Sequence, residues 1–466
     1  MIKNEHKKDG KYISFFSDVL IFGIGIVLAK AIQFMLMPVY TSYLSEAQYG
    51  RGELINSLSD LLLPVVTLNL YEAGFRYIAA RKYRNDQLYS TILKIFMKSA
   101  IIGAVIAGFI RVAFGWKYAC YLYLDLYGYA FLWILSYLAK GQGDSKTFSI
   151  SGVINALSLL AFSVLFIVLL GGGEIAYLMA ISLAYVPSCI FLLLRNRTYK
   201  LISLKKYDAD CKKELLAYGI PLMVYNLGYW LVTVSGRYVL LFFKGESQVG
   251  LYVAAMKISA LMNMVFQAAN ASFQLNAVKQ YEEVKKEEYY SNSFVIIESS
   301  FYSMAAILIL FSSFISNIIL KKGFIAADIY TPLIVFAATL YAVSSLYGML
   351  YSIYIKPKRN IPCIFISAMI NICVAVIFVN KIGVWAICIA SVACYLFQIT
   401  YRVIDVRSFS KAKIRVPLLI VNLLLLAGEV YAKTVLSNFV ITTGLCLLVI
   451  IISIVRVYVL WTRIEH

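Results

Sequence analysis

The chain has 466 residues, 61% of them apolar, a mean hydropathy of +0.79 and only 14% charged side chains, yet its formal net charge is +19. That composition excludes a soluble domain. The basic surplus has two readings, a nucleic-acid partner or the Lys and Arg that collect in the inner loops of membrane proteins.

Met1 to Lys11 is polar and basic, and the apolar stretch after it is too long for a signal-peptide core and has no small-residue cleavage site. A retained first helix is predicted over 12–42. Further apolar stretches follow at 50–80, 88–113, 117–139, 147–170, 174–195 and 214–243, then at 249–277, 291–319, 327–355, 360–380, 382–402, 414–432 and 437–461. A spanning helix needs about 20 mostly apolar residues, so the expected fold is an all-α polytopic membrane protein with about 14 transmembrane helices. The longest connection, Arg195 to Lys213, is too short to fold as a domain.

The loops decide between the two readings of the charge. With the N-terminus inside, the inner segments hold about 28 Lys and Arg, among them Lys7-Lys8, Arg81-Lys82, Lys205-Lys206, Lys212-Lys213, Lys356 to Arg359 and Arg402 to Arg415. The outer side holds about eight: Arg51, Arg111, Lys117, Lys244, Lys321, Lys322, Lys381 and Lys433. Both termini are therefore expected in the cytoplasm, the membrane is the cytoplasmic (inner) one, and no nucleic-acid partner is expected.

Several chemistries have no support. The only histidines, His6 and His466, lie in the tails, which sets aside histidine acid–base catalysis, His-ligated metal and haem. Eight cysteines are scattered without a C-x-x-C pair, against a disulfide framework or thiolate metal site. No G-x-x-x-x-G-K-[ST] loop is present, and Gly171-Gly172-Gly173 falls in a short outer hairpin where it reads as a turn. An enzyme is not expected, nor any cofactor or metal; a membrane glycosyltransferase or polymerase would need paired carboxylates on a long outer loop.

Glu46-Ala47-Gln48-Tyr49-Gly50 recurs as Glu246-Ser247-Gln248-Val249-Gly250. Each copy follows an odd-numbered span, with six spans between them, which predicts parallel halves related by an axis along the membrane normal. The expected organisation is an N-terminal six-helix lobe over 1–200, a C-terminal six-helix lobe over 201–405 and an appended helix pair over 406–466.

Ionisable groups inside spans are functional candidates by default. These are Asp18, Lys30, Asp60, Glu72, Arg76, Asp125, Arg237, Lys257, Glu298, Glu429 and Arg456. Spacing sorts them. Asn56, Asp60, Pro64, Thr67, Tyr71 and Gly74 fall within about 80° of arc in span 2. Asn226, Trp230, Thr233 and Arg237 do likewise in span 7, and Asn263, Gln267, Asn270 and Gln274 make a strip of four amides in span 8. Strips this polar predict a shared aqueous cavity. The weaker strips of span 5 (Ser151, Asn155, Ser158) and span 10 (Tyr341, Ser345, Gly348, Ser352) read as helix packing. Glu72 and Arg76 are spaced for a local ion pair, and Asp18, Lys94, Lys98 and Arg456 lie close enough to helix ends to snorkel. Lys30, mid-span, calls for a partner carboxylate such as Asp60 or a bound anion. Pro38, Pro64, Pro187, Pro221 and Pro362 predict kinks where they lie in helix interiors.

The stretch Pro38-Val39-Tyr40-Thr41-Ser42-Tyr43-Leu44-Ser45-Glu46-Ala47-Gln48-Tyr49-Gly50 resembles the first-helix exit of polysaccharide-export flippases. These are the O-antigen unit (Wzx-type) branch of the multidrug/oligosaccharidyl-lipid/polysaccharide exporter superfamily. Tyr218-Gly219-Ile220-Pro221-Leu222, Gly236-Arg237-Tyr238 and Val249-Gly250-Leu251-Tyr252 fit as well. The resemblance implies a MATE-like, V-shaped pair of lobes around a cationic cavity, working by alternating access. The implied cargo is an undecaprenyl-diphosphate-linked oligosaccharide, the O-antigen repeat unit of lipopolysaccharide biosynthesis or a similar unit, moved to the outer leaflet under ion or potential drive. Its implied partners are membrane lipids and the polysaccharide polymerase machinery. Lys30 and Arg237 would meet the phosphates, Asn226, Trp230, Asn263, Gln267, Asn270 and Gln274 the glycan, and Asp60 would balance charge or bind the coupling ion. Many relatives carry Asp before the span-7 Arg where this chain has Gly236. The alternatives are a lipid II flippase and a small-molecule antiporter on the same fold; the second predicts an acidic cavity.

Overall fold

A computed structural model describes residues 28–195, 197, 207–279, 286–354 and 356–465, and these are helix and turn with no strand among them. Helix starts follow from local chemistry. Ser45 Oγ accepts from the Gln48 amide at 3.3 Å while Gln48 Oε1 accepts from the Ser45 amide at 2.9 Å, a reciprocal cap that opens helix α2 (Glu46–Thr67) after the short α1 (Met37–Tyr43). Asp144 caps α6 (Ser145–Ser163) through the Thr147 amide at 3.0 Å, and Asp208 caps α8 (Ala209–Lys244) through the amides of Asp210 and Cys211. Between them lie α3 (Leu70–Ala79), α4 (Asn85–Ala113), α5 (Ala119–Gly141) and α7 (Glu174–Arg195). Then come α9 (Glu246–Lys279), α10 (Lys286–Leu310), α11 (Ser312–Ile319), α12 (Thr331–Ile353), α13 (Ile361–Ile382), α14 (Val384–Val406), α15 (Val416–Thr434) and α16 (Phe439–Glu465). Pro332, Pro362 and Pro417 sit in the first turns of α12, α13 and α15, where no backbone donor is lost.

Among the described residues eleven helices are long and apolar enough to cross a membrane, and α2 with α3, bent by 56°, counts as a twelfth. About fourteen were expected. The first stretch, 12–42, lies partly outside the described residues, as does Asp18. Helix α9 is long enough at 34 residues, and side chains in its second half, from Val265 on, fall partly outside the described residues. This is a multi-pass membrane protein.

The chain forms two compact units: the chain up to Leu44 with Arg51–Trp230, and Ser45–Gly50 with Leu231–His466. In the first, α3, α4 and α5 close on a core that includes Leu70, Tyr71, Tyr89, Ile92 and Leu138, and α6 pairs with α7. In the second, α10, α12 and α14 meet around Phe294, Phe301, Tyr347 and Leu350, with α15 and α16 packed on α10.

The sequence echo becomes a contact in the second unit. A Cβ on Gly50 would lie 2.1 Å from the Glu246 carbonyl oxygen, and one on Gly250 would lie 2.0 Å from that of Glu46. The two Glu-x-Gln-x-Gly turns thus cross reciprocally, backbone on backbone, and only glycine leaves room.

Candidate functional site

In the first unit the candidate site is built around the α2/α3 break. Pro64 has no N–H to give, and the chain leaves the helix at Leu68 and Asn69, both at positive φ (49° and 54°). The bend falls four residues after the proline, so the strip read across span 2 is not continuous. Asp60 stays exposed, whereas Tyr71 and Gly74 turn into the core against Trp133, Tyr137, Ile92 and Leu138. Extrapolating 100° per residue fails once the helix axis changes.

Span 7 docks on this break. Trp230 Nε1 donates to the Ser57 carbonyl at 2.9 Å, and Asn226 Nδ2 donates to Asn69 Oδ1 at 3.2 Å. Glu72 lies beside the Asn69 and Asn226 amides, with Lys140 nearby, while the Arg76 guanidinium stacks 4.5 Å from the Tyr218 ring centre. The expected Glu72–Arg76 pair is therefore not made; the break's amides and an aromatic face compete for its two partners. Asn226 and Trp230 are half-buried, Lys30 is exposed on its helix, and Lys30 Nζ donates to Gln33 Oε1 at 3.4 Å. Lys94 lies over the Tyr207 ring and Lys98 is exposed. An apolar cavity of about 550 Å³ lies between α2, α4 and α5, with Leu68 of the break, Ile106, Trp116 and Tyr127 on its walls and Lys98 at its edge.

Asp125, on α5, is the polar centre that spacing did not find. It is 1% exposed, and the Ser59 and Tyr185 hydroxyls donate to its two carboxylate oxygens at 2.5 and 3.1 Å. Glu53, also buried, accepts from the Tyr177 hydroxyl at 2.8 Å. The sequence marks Asp125 only as a charge within a span, since its partners come from α2 and α7, 66 and 60 residues away. Further along, Glu174 binds Arg51, Lys117 and Tyr118 at the start of α7, beside the Gly171 turn.

In the second unit Arg237 is half-buried on α8, its Nη2 4.0 Å from Met256 Sδ of α9. Asn263 is half-buried and Gln267 exposed on α9; Asn270 and Gln274 lie on the same helix, and their side chains fall outside the described residues. A Cβ on Gly236 would lie 2.5 Å from Ile387 Cγ2, so α14 fills the space that an aspartate there would need. An aspartate at that position would have to displace the Ile387 side chain.

Two expectations about packing hold and one does not. Asn155 donates to the Ala184 carbonyl at 3.0 Å, joining α6 to α7. Gly348 lies under the buried Arg402 guanidinium, which donates to the Ser344 carbonyl at 2.8 Å and to Asn360 Oδ1 at 3.2 Å. Arg456, expected to snorkel, is 5% exposed and pairs with Glu298 at 2.8 Å, because it faces α10.

Among the described residues no group of three or more His, Cys, Asp or Glu could hold a metal ion. A family model described as "Polysaccharide biosynthesis protein" matches residues 15–273. No curated protein matches the chain. Among solved structures, it is similar to the lipid II flippase MurJ in an inward closed conformation, with 12% identity and a TM-score of 0.71, covering 96% of this chain and 100% of that one. It is also similar to an inward-facing multidrug resistance MATE family transporter of the MOP superfamily, with 17% identity, a TM-score of 0.60, and 83% and 95% coverage. A MOP superfamily transporter from Pyrococcus furiosus with a binding pocket of reverse polarity gives 17% identity, a TM-score of 0.58, and 84% and 96% coverage. The chain shares the fold of these transporters.

Proposed function

The chain belongs to the polysaccharide biosynthesis protein family, and from that premise we propose that it is a flippase for a lipid-linked oligosaccharide. It moves an undecaprenyl-diphosphate-linked repeat unit of a surface polysaccharide from the cytoplasmic to the outer leaflet of the inner membrane by alternating access, with both termini in the cytoplasm. One observation carries this reading: a chain of the polysaccharide family is almost wholly membrane-spanning helix. Among the described residues the chain is helix suited to the bilayer, so it meets its glycan where the lipid carrier holds it.

The chemistry of the candidate residues agrees. Lys30 and Arg237 supply cations for a diphosphate, and Asn226, Trp230, Asn263, Gln267, Asn270 and Gln274 supply amides and an aromatic face for sugars. Asp60, exposed on α2, balances charge or takes the coupling ion. Arg237→Ala is expected to abolish surface glycan in intact cells while membrane levels of the protein stay normal. Normal display by a stably expressed mutant would sink the assignment. Deleting the gene should leave a lipid-linked intermediate on the cytoplasmic leaflet, and its glycan identifies the substrate.

The buried acids Glu53 and Asp125 with Asp60 favour, as a second reading, export of a cationic small molecule. Overexpression that raises resistance to cationic dyes without restoring glycan to a deletion strain selects that reading.

A further inference from the structure

Helices α10, α15 and α16 of the second unit enclose a file of polar atoms whose hydrogen bonds are not made. Glu429 of α15 is 0% exposed, and among the described residues neither of its carboxylate oxygens has a hydrogen-bond partner. Asn422, seven residues earlier and so about 10 Å along the same helix on a similar face, is also fully buried, with Oδ1 unsatisfied. Across from these acceptors stand unused donors: Arg456 Nε and Nη1, Tyr302 OH, and the Ser299 and Ser453 hydroxyls.

The register of the three helices puts them in line. Arg456 Nη2 pairs with Glu298 Oε2 at 2.8 Å, and Tyr347 of α12 donates to Glu298 Oε1 at 2.5 Å, which fixes α16 on α10. Tyr302 is one turn from Glu298 and Ser453 one turn from Arg456, in the opposite chain direction, so they share a level. Cys446 of α16 lies near Glu429, and the antiparallel α15 and α16 then bring Asn422 to the level of Ser453. Lys433, one turn beyond Glu429, donates to the Leu310 carbonyl at 3.3 Å. The titratable and charged groups about Glu429 are thus Lys433 on its own helix and Cys446 on α16, while Arg456 of α16 with Glu298 and Tyr302 of α10 form a second cluster about 15 Å along the helices. Tyr347 of α12 and Arg415 complete that cluster through Glu298.

A carboxyl group in hydrocarbon with no cation or donor in contact is costly to ionise, and each unmade bond beside it adds to the penalty. A packing role does not account for a carboxyl here, since Leu or Gln would fill the space. We propose that Glu429 is a proton-carrying site and that Asn422, Tyr302, Ser453 and Arg456 mark the hydrated path to it. The proton moves between water and a Glu429 carboxylate oxygen, and no other bond changes. This would supply the drive that the flippase reading needs, at a place apart from Asp60 and Gly236, and it rests on the transport reading only for its purpose.

The test uses the purified full-length protein in liposomes with an entrapped pH dye, a pH gradient and a potassium ionophore to clamp the potential. Wild type should carry protons without any glycan present, Glu429→Gln should lower the initial rate at least about tenfold, and Glu429→Asp should retain part of it. A hydrophobic carbodiimide, which attacks protonated carboxyls in apolar surroundings, should label the Glu429 peptide, less at higher pH. Glu429→Gln flux equal to wild type, or no label at Glu429 in a folded protein, overturns the proposal. Proton flux that survives in a protein unable to restore glycan would instead overturn the flippase reading and leave this one standing.

Discussion

Asp125 holds together three helices of the first unit with one side chain. The Ser59 and Tyr185 hydroxyls converge on it from α2 and α7 at 2.5 and 3.1 Å. Asp125→Asn keeps one acceptor and offers an N–H to the other hydroxyl. Asp125→Leu removes both acceptors, stranding two hydroxyls at about 1–3 kcal/mol each, and its larger side chain overpacks the site. Thermal unfolding in detergent should therefore rank wild type above Asp125→Asn and both well above Asp125→Leu; equal midpoints for the two variants would show that the hydroxyls do not depend on the carboxyl. Trp230 and Asn226 illustrate the same principle at lower stakes. Each uses its N–H on the α2/α3 region, so a residue read as a cavity group also fastens span 7 to the broken span 2.

At the scale of elements, the crossing of Gly50 and Gly250 matters most. The five-residue echo could be read from the sequence, as could its position after spans one and seven. That the two copies touch could not, since nothing in either pentapeptide names the other. With 2.1 and 2.0 Å between a would-be Cβ and the opposing carbonyl oxygen, backbone must move to admit even alanine. Gly50→Ala and Gly250→Ala should each cost about 1–3 kcal/mol, the range of overpacked cores. Gly108→Ala, on the exposed face of α4 with nothing within 4 Å, should be neutral or slightly stabilising. Fluorescence-detected size-exclusion after a heat step measures all three; an equal loss at Gly108 would show that any added methyl is harmful here. The α2/α3 break makes a complementary point. Pro64 announces a disturbance, but where the bend falls is settled at Leu68 and Asn69 by Asn226 and by the Leu68 carbonyl packed on Gly219.

For the whole molecule, orientation is the property that composition argues best. Lys and Arg cluster in alternate loops, above all Arg407 to Arg415 and Lys356 to Arg359, and retention of such loops on the inner face sets topology. A fluorescent protein fused after His466 should be bright, because it folds in the cytoplasm, and alkaline phosphatase at the same place should be inactive. The opposite pair of results would invert the orientation and move every inner loop outside. Charge also shows how far sequence reasoning reached into the site. It marked Arg237, Glu298, Glu429 and Arg456 as costly in hydrocarbon. It could not tell that Arg456 of α16 would turn to Glu298 of α10, or that the Glu429 carboxylate would find no hydrogen bond among the described residues.

The sequence alone determined that this chain is a membrane protein of many helices, because hydropathy and helix length are sums over neighbours along the chain and need no fold. It also marked the repeated Glu-x-Gln-x-Gly and the prolines, which are read within a few positions, but which glycines have no room for a side chain was left to the fold. Tertiary structure decided which buried charges are paired, which are held by hydroxyls and which stand alone. Asp125 and Glu429 look alike in a hydropathy plot. One accepts two hydrogen bonds from helices more than fifty residues away, and the other accepts none. The energy of a charge in the membrane depends on what lies within a few ångströms of it, and only the packed chain brings those atoms there.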